Sequence, residues 1–335
     1  MNLPAAAHVI EAAERIRPHV IRTPLLGSPA LDARVGGRLL VKAECLQHTG
    51  SFKIRGACNR MLLMSPSERR AGVVAWSAGN HGQAVAFVGQ SLGVPVTVVM
   101  PADAPQAKIE GTRRWGARLL LYDRHTEVRE EIGRDIATRT GAVIVPPYDD
   151  ADIIAGQGVA GLEAIEDARS AGAPPDRLLC PTGGGGLIAG CALAADALGE
   201  GLDLHPVEPH CYDDTGRSIA AGFRVSNDGS AASICDALMT VTPGALPFAV
   251  NHGRLVPGLA VTDAQVEEAV RTALRDLKIV LEPGGAAGLA AALFRPDITQ
   301  GVTTIVMATG GNLDLSRLAS IIGHAGTRPD EEQTL

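Results

Sequence analysis

The sequence predicts an α/β protein built from two open, twisted parallel-sheet units, with the smaller unit inserted into the larger one. Short apolar segments alternate with helical patterns from about residue 73 to residue 150, and a similar alternation follows in the second half of the chain. Short apolar strands alternating with helices are typical of a parallel sheet with both faces covered. We therefore expect a large domain of residues 1–72 and 151–335 and a small domain of residues 73–150.

Each domain is predicted as a succession of strands and helices. In the small domain, strands are expected at 73–76, 96–100, 118–121 and 142–145, and helices up to Leu92, around 107–115 and from 126 to about 138. In the large domain, strands are expected at 38–43, 178–180, 202–207 and 303–308, and helices at 5–17, from near Ser51, at 152–171, at 262–277 and after Glu282. Thr262 and Gln265 form the pattern of a capping box, which marks the start of one helix.

Composition limits the partners and the compartment. The 335 residues are 46% hydrophobic, which is enough for substantial cores, and they carry a net charge of −7. This acidic balance argues against nucleic acid as a partner, and no apolar run is long enough to suggest a membrane span. The six cysteines lie far apart without a CxxC pair, which favours a reduced, cytoplasmic protein.

Lys53 is the first candidate for chemistry, because it lies between Phe52 and Ile54 in a segment that small residues flank. Apolar residues recur at one-face spacing after it, so a helix is expected to begin near Ser51 with the lysine at its positive end. The helix dipole and burial would both lower the pKa of an ammonium group there, and a neutral lysine is a nucleophile suited to Schiff-base chemistry. The alternative is a solvated lysine at the start of a helix.

Four consecutive glycines, residues 183–186, follow a predicted strand and precede a predicted helix. Glycine lets backbone N–H groups approach an anion closely, and the start of a helix adds favourable charge, so this junction predicts a phosphate cradle. The pattern matches neither a P-loop nor the spaced glycines of a dinucleotide fingerprint. The alternative is a tight structural turn.

Two further strand ends carry small and polar residues. The segment Ser77–Gln83, with the sequence SAGNHGQ, follows a strand and opens a helix, so its N–H groups and side chains could hold a carboxylate. The segment Thr309–Asn312, with the sequence TGGN, places a hydroxyl beside two glycines at the end of the last strand. The alternatives are a capped loop and a simple turn, and a lone histidine such as His81 is more often structural than catalytic.

An acidic loop offers a third kind of site. Glu208 and Asp214 lie six residues apart, with Asp213 between them, and two carboxylates with a carbonyl would suit a hard cation such as Mg²⁺, Ca²⁺ or Mn²⁺. His210 and Cys211 lie in the same loop and could recruit zinc instead. The loop could also be a solvated acidic turn without any ion.

Taken together, the lysine segment, the SAGNHG loop, the four glycines and the terminal TGGN occur in an order and spacing that resembles a known family. The chain is similar to the fold type II pyridoxal-phosphate enzymes, and within them to the threonine/serine dehydratase and serine racemase group. The resemblance extends from about residue 8 to residue 322, which is nearly the whole chain.

The resemblance implies roles for the residues around the cofactor. Lys53 would carry pyridoxal 5'-phosphate covalently and later remove the α-proton, while Phe52 packs near the ring and Asn80 contacts the ring hydroxyl. Thr309 would bond to the ring nitrogen, where many relatives have serine; a hydroxyl does not keep that nitrogen protonated, which favours prompt loss of a β-leaving group. The phosphate would be held by the backbone of Gly183, Gly184, Gly185, Gly186 and Leu187.

The resemblance also implies a substrate site and a metal site. Ser77, Ala78, Gly79 and His81 would line the site of the substrate carboxylate. Glu208, the Tyr212 carbonyl and Asp214 would match the divalent-cation site of the racemase-like members.

Two departures bear on the reaction. Serine racemases resemble the SAGNHG loop but have a second serine, their acid/base on the opposite face, where this chain has Ala78, so elimination is favoured over racemisation. The segment Cys235–Leu238 reads Cys-Asp-Ala-Leu where relatives commonly have Ala-Asp-Gly-Val or Ala-Asp-Gly-Ile. By the resemblance this segment flanks the substrate β-carbon, so the identity of the substrate stays open.

The sequence therefore predicts a pyridoxal-phosphate-dependent ammonia-lyase that converts a 3-hydroxy amino acid, such as L-threonine or L-serine, to a 2-keto acid and ammonia. A 3-hydroxyaspartate or phenylserine-type substrate is the alternative within that class, and an amino-acid racemase is the second hypothesis. A third is a regulator that binds a nucleotide or phosphate through its glycine loops and leaves the lysine idle. We expect a homodimer or a larger homo-oligomer, with no nucleic-acid or membrane partner.

Overall fold

Ten strands form two separate sheets in the computed structural model, which describes residues 3–77, 79–104, 106–123 and 125–323. The order in the six-stranded sheet is β1-β2-β10-β7-β8-β9, and in the four-stranded sheet it is β5-β4-β3-β6. The strands are β1 (Leu25–Gly27), β2 (Arg38–Ala43), β3 (Val73–Trp76), β4 (Val96–Pro101), β5 (Arg118–Tyr122), β6 (Val143–Ile144), β7 (Arg177–Pro181), β8 (Asp203–Pro209), β9 (Leu259–Val261) and β10 (Thr303–Ala308).

Helices connect and cover these strands. They are α1 (Ala6–Ile16), α2 (Pro29–Val35), α3 (Lys53–Leu62), α4 (Pro66–Ala71), α5 (Asn80–Leu92), α6 (Gln106–Arg114), α7 (Arg129–Thr140), α8 (Ala151–Ser170), α9 (Gly186–Leu198), α10 (Asp214–Ala221), α11 (Ala245–Asn251), α12 (Asp263–Thr272), α13 (Pro283–Phe294), α14 (Pro296–Thr299) and α15 (Leu315–Gly323). In the described part of the chain, no helix is long and apolar enough to cross a membrane.

The predicted α/β class is confirmed, and the larger sheet is parallel except at one edge. In its interior, β10 pairs in parallel with β2 on one side and with β7 on the other. The edge strand β1 pairs antiparallel with β2, a reversal that the sequence pattern did not predict. Only α2, seven residues long, connects β1 to β2. A connection this short does not make the crossover that a parallel pair requires.

The smaller sheet is parallel throughout and uses strands from one continuous stretch of the chain, β3 to β6. Its central strands are apolar and buried, as expected for a sheet with helices on both faces. Every strand of this sheet lies within residues 73–150, and every strand of the larger sheet lies outside that range. The domain boundaries themselves stay a prediction.

Most predicted elements have the expected positions, and the main differences are at their ends. The helix predicted from residue 126 begins at Arg129. The helix that Thr262 caps is regular to Thr272 and then continues as a π-helix, Ala273–Leu277.

The helix that begins at Lys53 is held in a core that joins the smaller sheet to helices α8 and α9. Ile54 and Met61 of α3 are fully buried in one cluster with Val98 of β4 and Ile153 of α8. Because the same apolar cluster packs α3 against α8 and against the smaller sheet, the position of α3 is fixed between them.

Candidate active site

A cavity opens at the carboxyl ends of the parallel strands. Trp76 at the end of β3, Pro181 at the end of β7 and Thr309 directly after β10 all line it. This edge is where α/β sheets hold their ligands. The sequence-predicted cofactor and substrate residues that line this cavity are Phe52, Lys53, Ser77, Gly79, Asn80, His81, Gly183, Gly184, Gly185, Gly186, Leu187 and Thr309. Ala78 lies outside the described residues.

Lys53 is the first residue of α3, and its side chain is half-buried in the cavity wall. Its Nζ donates a hydrogen bond to the carbonyl of Pro147 at 2.8 Å. Burial lowers the pKa of Lys53 to about 8, although the nearby Glu282 carboxyl opposes the shift. The predicted depression of the pKa is thus present, and desolvation is its main cause.

The lysine segment is tied to the end of the last strand. The Phe52 N–H donates to the Thr309 carbonyl at 3.1 Å, and Ser51 and Gly310 form an isolated antiparallel bridge. These backbone bonds place the Thr309 hydroxyl and the Lys53 amine, 256 residues apart in the chain, on the wall of one cavity.

The four glycines are required by space as well as by conformation. A Cβ added at Gly184 would lie 2.4 Å from ring atoms of Tyr148, and one added at Gly186 would lie 2.8 Å from Oε1 of Gln157. Gly185 has a φ of +87°, a region that other residues rarely adopt. Helix α9 begins at Gly186, so N–H groups of its first turn lack intrahelical partners and suit an anion.

The Ser77–Gln83 segment likewise joins a strand to a helix. The Gly79 N–H donates to Oγ of Ser77 at 3.1 Å, and α5 begins at Asn80. The His81 ring is buried, and its Nε2 lies 2.8 Å from the Val145 carbonyl. Burial, helped by the charge of Lys53, lowers the pKa of His81 to about 3. The ring is therefore neutral, donates from Nε2, and ties α5 to the end of the smaller sheet.

Glu282 is a cavity residue that the sequence motifs did not identify. Its Oε1 accepts a hydrogen bond from Nδ2 of Asn80 at 2.5 Å, while Oδ1 of Asn80 accepts one from Nδ2 of Asn312 at 2.7 Å. Burial raises the pKa of Glu282 to about 7, against the effect of the Asn80 bond. The sequence signal that could have found it is an acidic residue directly before the small, apolar helix α13.

Among the other residues that line the cavity without belonging to a predicted site are Trp76, Lys108, Arg129 and Tyr148. Lys108 of α6 forms an ion pair with Asp236, which stands in the one-turn 3₁₀ helix Asp236–Leu238. These partners are 128 residues apart in sequence, so no local pattern connects them.

The acidic loop forms a separate cluster at the end of β8. The Glu208 carboxylate accepts the N–H groups of Thr215 and Gly216 at 2.9 and 2.8 Å. Asp214 opens α10 and accepts from Nδ2 of Asn227 at 2.7 Å, whereas its Oδ2 is buried without a partner among the described residues. Burial raises the pKa of Glu208 to about 8, with Asp214 adding to the shift, and raises that of Asp214 to about 6.

These two buried acids suit a cation, but they are not a complete set of acidic, His or Cys ligands. Within the described residues no group of three or more His, Cys, Asp or Glu side chains is placed to hold a metal. Cys211 is exposed, and the Tyr212 hydroxyl donates to the Ala231 carbonyl at 2.7 Å, which fixes the loop beyond it. The remaining ligands of a cation would have to be backbone oxygens or water.

Comparisons with known proteins agree with this geometry. The family described as pyridoxal-phosphate dependent enzyme matches residues 16–310. The chain is 41% identical to an L-threo-3-hydroxyaspartate ammonia-lyase from a Pseudomonas species, over 96% of this chain and 99% of the relative. It is 36% identical to the L-threonine ammonia-lyase of Thermotoga maritima, over 93% and 77% of the two chains.

Among solved structures, maize serine racemase superposes with a TM-score of 0.89 at 34% identity, covering 96% of this chain and 98% of that one. With a lysine, a glycine cradle and a hydroxyl converging on one cavity, the chain belongs to the fold type II family of pyridoxal-phosphate-dependent enzymes.

Proposed function

We propose that this protein is an ammonia-lyase that converts a 3-hydroxy amino acid to a 2-keto acid and ammonia with the help of pyridoxal phosphate. One observation carries the proposal: the Lys53 amine, with its pKa lowered to about 8, faces a cavity that also contains the glycine cradle and the Ser77–Gln83 segment. The ammonia-lyases among the relatives support the reaction class.

The residues of the cavity fit the cofactor. The glycine cradle, where added Cβ atoms would collide with Tyr148 and Gln157, leaves backbone N–H groups for the phosphate. Thr309 offers a hydroxyl to the ring nitrogen, and Phe52 offers a ring whose centroid lies 4.9 Å from Nζ of Lys53. When bound, pyridoxal phosphate supplies an aldehyde that condenses with amines and a conjugated ring that accepts electrons.

Each side chain then has a distinct task. The backbone N–H groups at the start of α5, with Ser77, hold the α-carboxylate of the substrate. The Lys53 amine accepts the α-proton, and the 3-hydroxyl takes up one proton and leaves as water, so that the elimination removes one molecule of water in total. The product of the elimination is an enamine, which rearranges to an imine. Hydrolysis of the imine consumes one water and gives the 2-keto acid and ammonia, so atoms balance overall.

A racemase is the second candidate, since serine racemases are among the relatives. Inversion at the α-carbon needs a proton donor on the face opposite Lys53. The Ser77–Gln83 segment has alanine at position 78, and alanine cannot transfer a proton. We therefore expect inversion to be slow compared with ammonia release, and solvent deuterium exchange with inversion at an equal rate would overturn this ranking.

We also propose a divalent cation, Mg²⁺, Ca²⁺ or Mn²⁺, at Glu208 and Asp214, with the Tyr212 carbonyl as a further ligand. Both carboxylates are buried, and within the described part of the chain neither forms a salt bridge with a basic side chain, which supports this site. We further propose a homodimer or larger homo-oligomer in the cytoplasm. Exposed apolar side chains such as Leu46 and Leu63 offer surface that association would bury, and light scattering would measure the mass.

The decisive experiment is ammonia release from a panel of 3-hydroxy amino acids by the wild type and by Lys53→Ala. We expect the variant to lose both the visible absorbance of the lysine-bound cofactor and all turnover. Lys278→Gly is the matched control, because Lys278 is exposed and has a φ of +60° that glycine adopts readily. Covalent cofactor or ammonia release persisting in Lys53→Ala would refute the assignment.

A further inference from the structure

Besides Lys53, the cavity contains two basic side chains that the proposed reaction does not use. Arg129, at the start of α7, pairs with Glu130 at 2.8 Å, and Glu130 is not part of the cavity lining. Lys108 of α6 pairs with Asp236, and both members of this pair line the cavity. Among the described residues, Lys108 is thus the basic side chain whose ion-pair partner also lines the cavity, so an anionic ligand in the cavity could take the place of that partner.

The position of Lys108 is defined by two neighbours. A Cβ added at Gly79 would lie 3.8 Å from its Nζ, so the ammonium group borders the segment that holds the α-carboxylate. On its other side it contacts Asp236, the first residue of the turn Asp236–Leu238. The ammonium group therefore lies beside the place assigned to the α-carboxylate, within reach of a second carboxylate on the same substrate.

The other anionic groups that the proposed function requires already have binding partners. The cofactor phosphate is assigned to the glycine cradle, and the α-carboxylate to backbone N–H groups at the start of α5. Asp236 is an easily replaced counter-ion, because 56% of its side chain is exposed, whereas only 16% of the Lys108 side chain is. A poorly exposed ammonium with an exposed carboxylate partner is suited to exchanging that partner for an anionic ligand.

We propose that Lys108 binds the second carboxylate of a dicarboxylic 3-hydroxy amino acid, of the 3-hydroxyaspartate type, which takes the place of Asp236. This inference rests on the proposed function and specifies its substrate class. Discrimination follows from desolvation: a methyl group or hydrogen in that position would leave the ammonium facing a group that cannot accept its hydrogen bonds. Threonine and serine would then be poorer substrates than the dicarboxylic amino acid.

The test compares kcat/KM for L-threo-3-hydroxyaspartate and for L-serine in the wild type, Lys108→Met and Lys108→Arg. We expect Lys108→Met to lower the ratio of the two values about a hundredfold, mainly through KM for the dicarboxylic substrate, as for the loss of a charged hydrogen-bond partner. Lys108→Arg should recover most of the ratio. Arg139→Met is the control for net charge, because Arg139 lies on an exposed face of α7.

A second readout does not depend on turnover. L-malate has two carboxylates but no amine, and we expect it to raise the melting temperature of the wild type more than L-lactate does, a difference that Lys108→Met abolishes. Asp236→Asn removes the competing carboxylate and should strengthen the malate effect. These results would support the inference.

Other outcomes would overturn it. Equal losses for both substrates in Lys108→Met would mean that the lysine holds the α-carboxylate or only joins α6 to the 236–238 turn. Ammonia release from serine or threonine without any preference for the dicarboxylic substrate would refute this inference and leave the proposed function standing. No ammonia release from any 3-hydroxy amino acid would refute the proposed function, and this inference with it.

Discussion

The molecule contains two clusters of buried charge outside the candidate active site, and they are balanced in opposite ways. The first, which we name the α3 network, joins Arg55 and Lys42 to Glu44 and Glu163. Arg55 donates to Glu44 through Nε at 2.7 Å and to Glu163 through Nη1 at 3.0 Å. Lys42 Nζ donates to Glu163 at 2.8 Å and to the Thr23 carbonyl at 2.7 Å. Two acids and two bases thus neutralise one another.

The second cluster, Glu208 and Asp214, contains acids alone, and the pKa values show the contrast. Burial by itself would raise the pKa of Glu44, but the charge and hydrogen bonds of Arg55, together with the charge of Lys42 and the Thr23 bond, hold that pKa below its usual range. Glu208 has no such partner, and its pKa rises to about 8. Among the described residues, neither Glu208 nor Asp214 forms a salt bridge.

The contrast shows which cluster balances its own charge and which one needs a bound cation or proton. Arg55, the centre of the α3 network, lies two residues after Lys53. Because the charges of the network cancel, it can fix the start of α3 without any ligand. The acidic pair leaves one carboxylate oxygen of Asp214 buried without a partner, which is costly unless an external cation or a proton is bound. Substitutions at Arg55, Asp214, Glu282 and Arg22 test this difference.

Breaking the α3 network should have the largest effect. Arg55→Met leaves Glu44 and Glu163 buried without their main partner, and we expect the free energy of unfolding to fall by about 3–5 kcal/mol. Arg55→Lys keeps the charge but loses the forked hydrogen bonds, so its loss should be smaller. Urea unfolding measures both. A loss below about 1 kcal/mol for Arg55→Met would mean that Glu44 and Glu163 do not depend on Arg55 to balance their buried charges.

Supplying and removing a cation should have the next largest effect. With free Mg²⁺ at a hundredfold excess over its dissociation constant, the folded state gains about 2.7 kcal/mol, so a chelator should lower the melting temperature. Asp214→Asn should remove this sensitivity, whereas Asp213→Asn, which changes the exposed neighbouring acid, should retain it. Identical melting temperatures with and without chelator in the wild type would show that no cation binds at Glu208 and Asp214.

The sequence predicted the parts of the site that lie in continuous segments. Lys53, the four glycines, the Ser77–Gln83 segment and Thr309 each follow a strand, and all of them line one cavity, although it was the family resemblance and not the local patterns alone that grouped them. Parallel strands explain this success, since the loops after them all open at the same edge of the sheet.

What the sequence did not predict depends on side-chain pairs between distant segments. Arg55 lies inside the lysine segment, yet its partner Glu163 is 108 residues away. Lys108 and Asp236 are separated by 128 residues, and Asn80 and Glu282 by 202. Neither periodicity nor capping patterns carry information about such pairs. The antiparallel edge strand β1 was missed for a related reason, because three residues are too few to show alternation.

The buried acid Glu282 is intermediate between Glu44, which is paired with Arg55, and Glu208, which has no such partner. One hydrogen bond from Asn80 offsets only part of the cost of burying the Glu282 carboxylate. Its pKa is about 7 in the folded protein against an ordinary 4.5, so folding becomes less favourable as the pH rises from about 5 to 7. The Glu282→Gln variant keeps an oxygen for Asn80 and cannot ionise. We expect it to gain about 2 kcal/mol of stability relative to the wild type over that pH interval.

Denaturant unfolding of both proteins at pH 5 and pH 7, without the cofactor, measures this difference. The sign is the critical point, since an acid stabilised in its charged form would make the wild type gain on the variant as the pH rises. A difference that does not change with pH would show that Glu282 is already paired as well as Glu44 is.

The smallest effect is expected where the same kinds of charge lie at the surface. Arg22 pairs with Glu166 at 3.0 Å and with Asp167 at 2.6 Å, on the same helix α8 that supplies Glu163 to the α3 network. About half of the Arg22 side chain is exposed, so water solvates the acids after its removal, and Arg22→Met should cost less than about 1 kcal/mol. Unfolding in 1 M NaCl should reduce even this loss, because salt screens exposed pairs, while the loss in Arg55→Met should stay nearly unchanged. An Arg22→Met loss as large as that of Arg55→Met would mean that these surface pairs belong to the buried network, and burial would then no longer explain the contrast between the clusters.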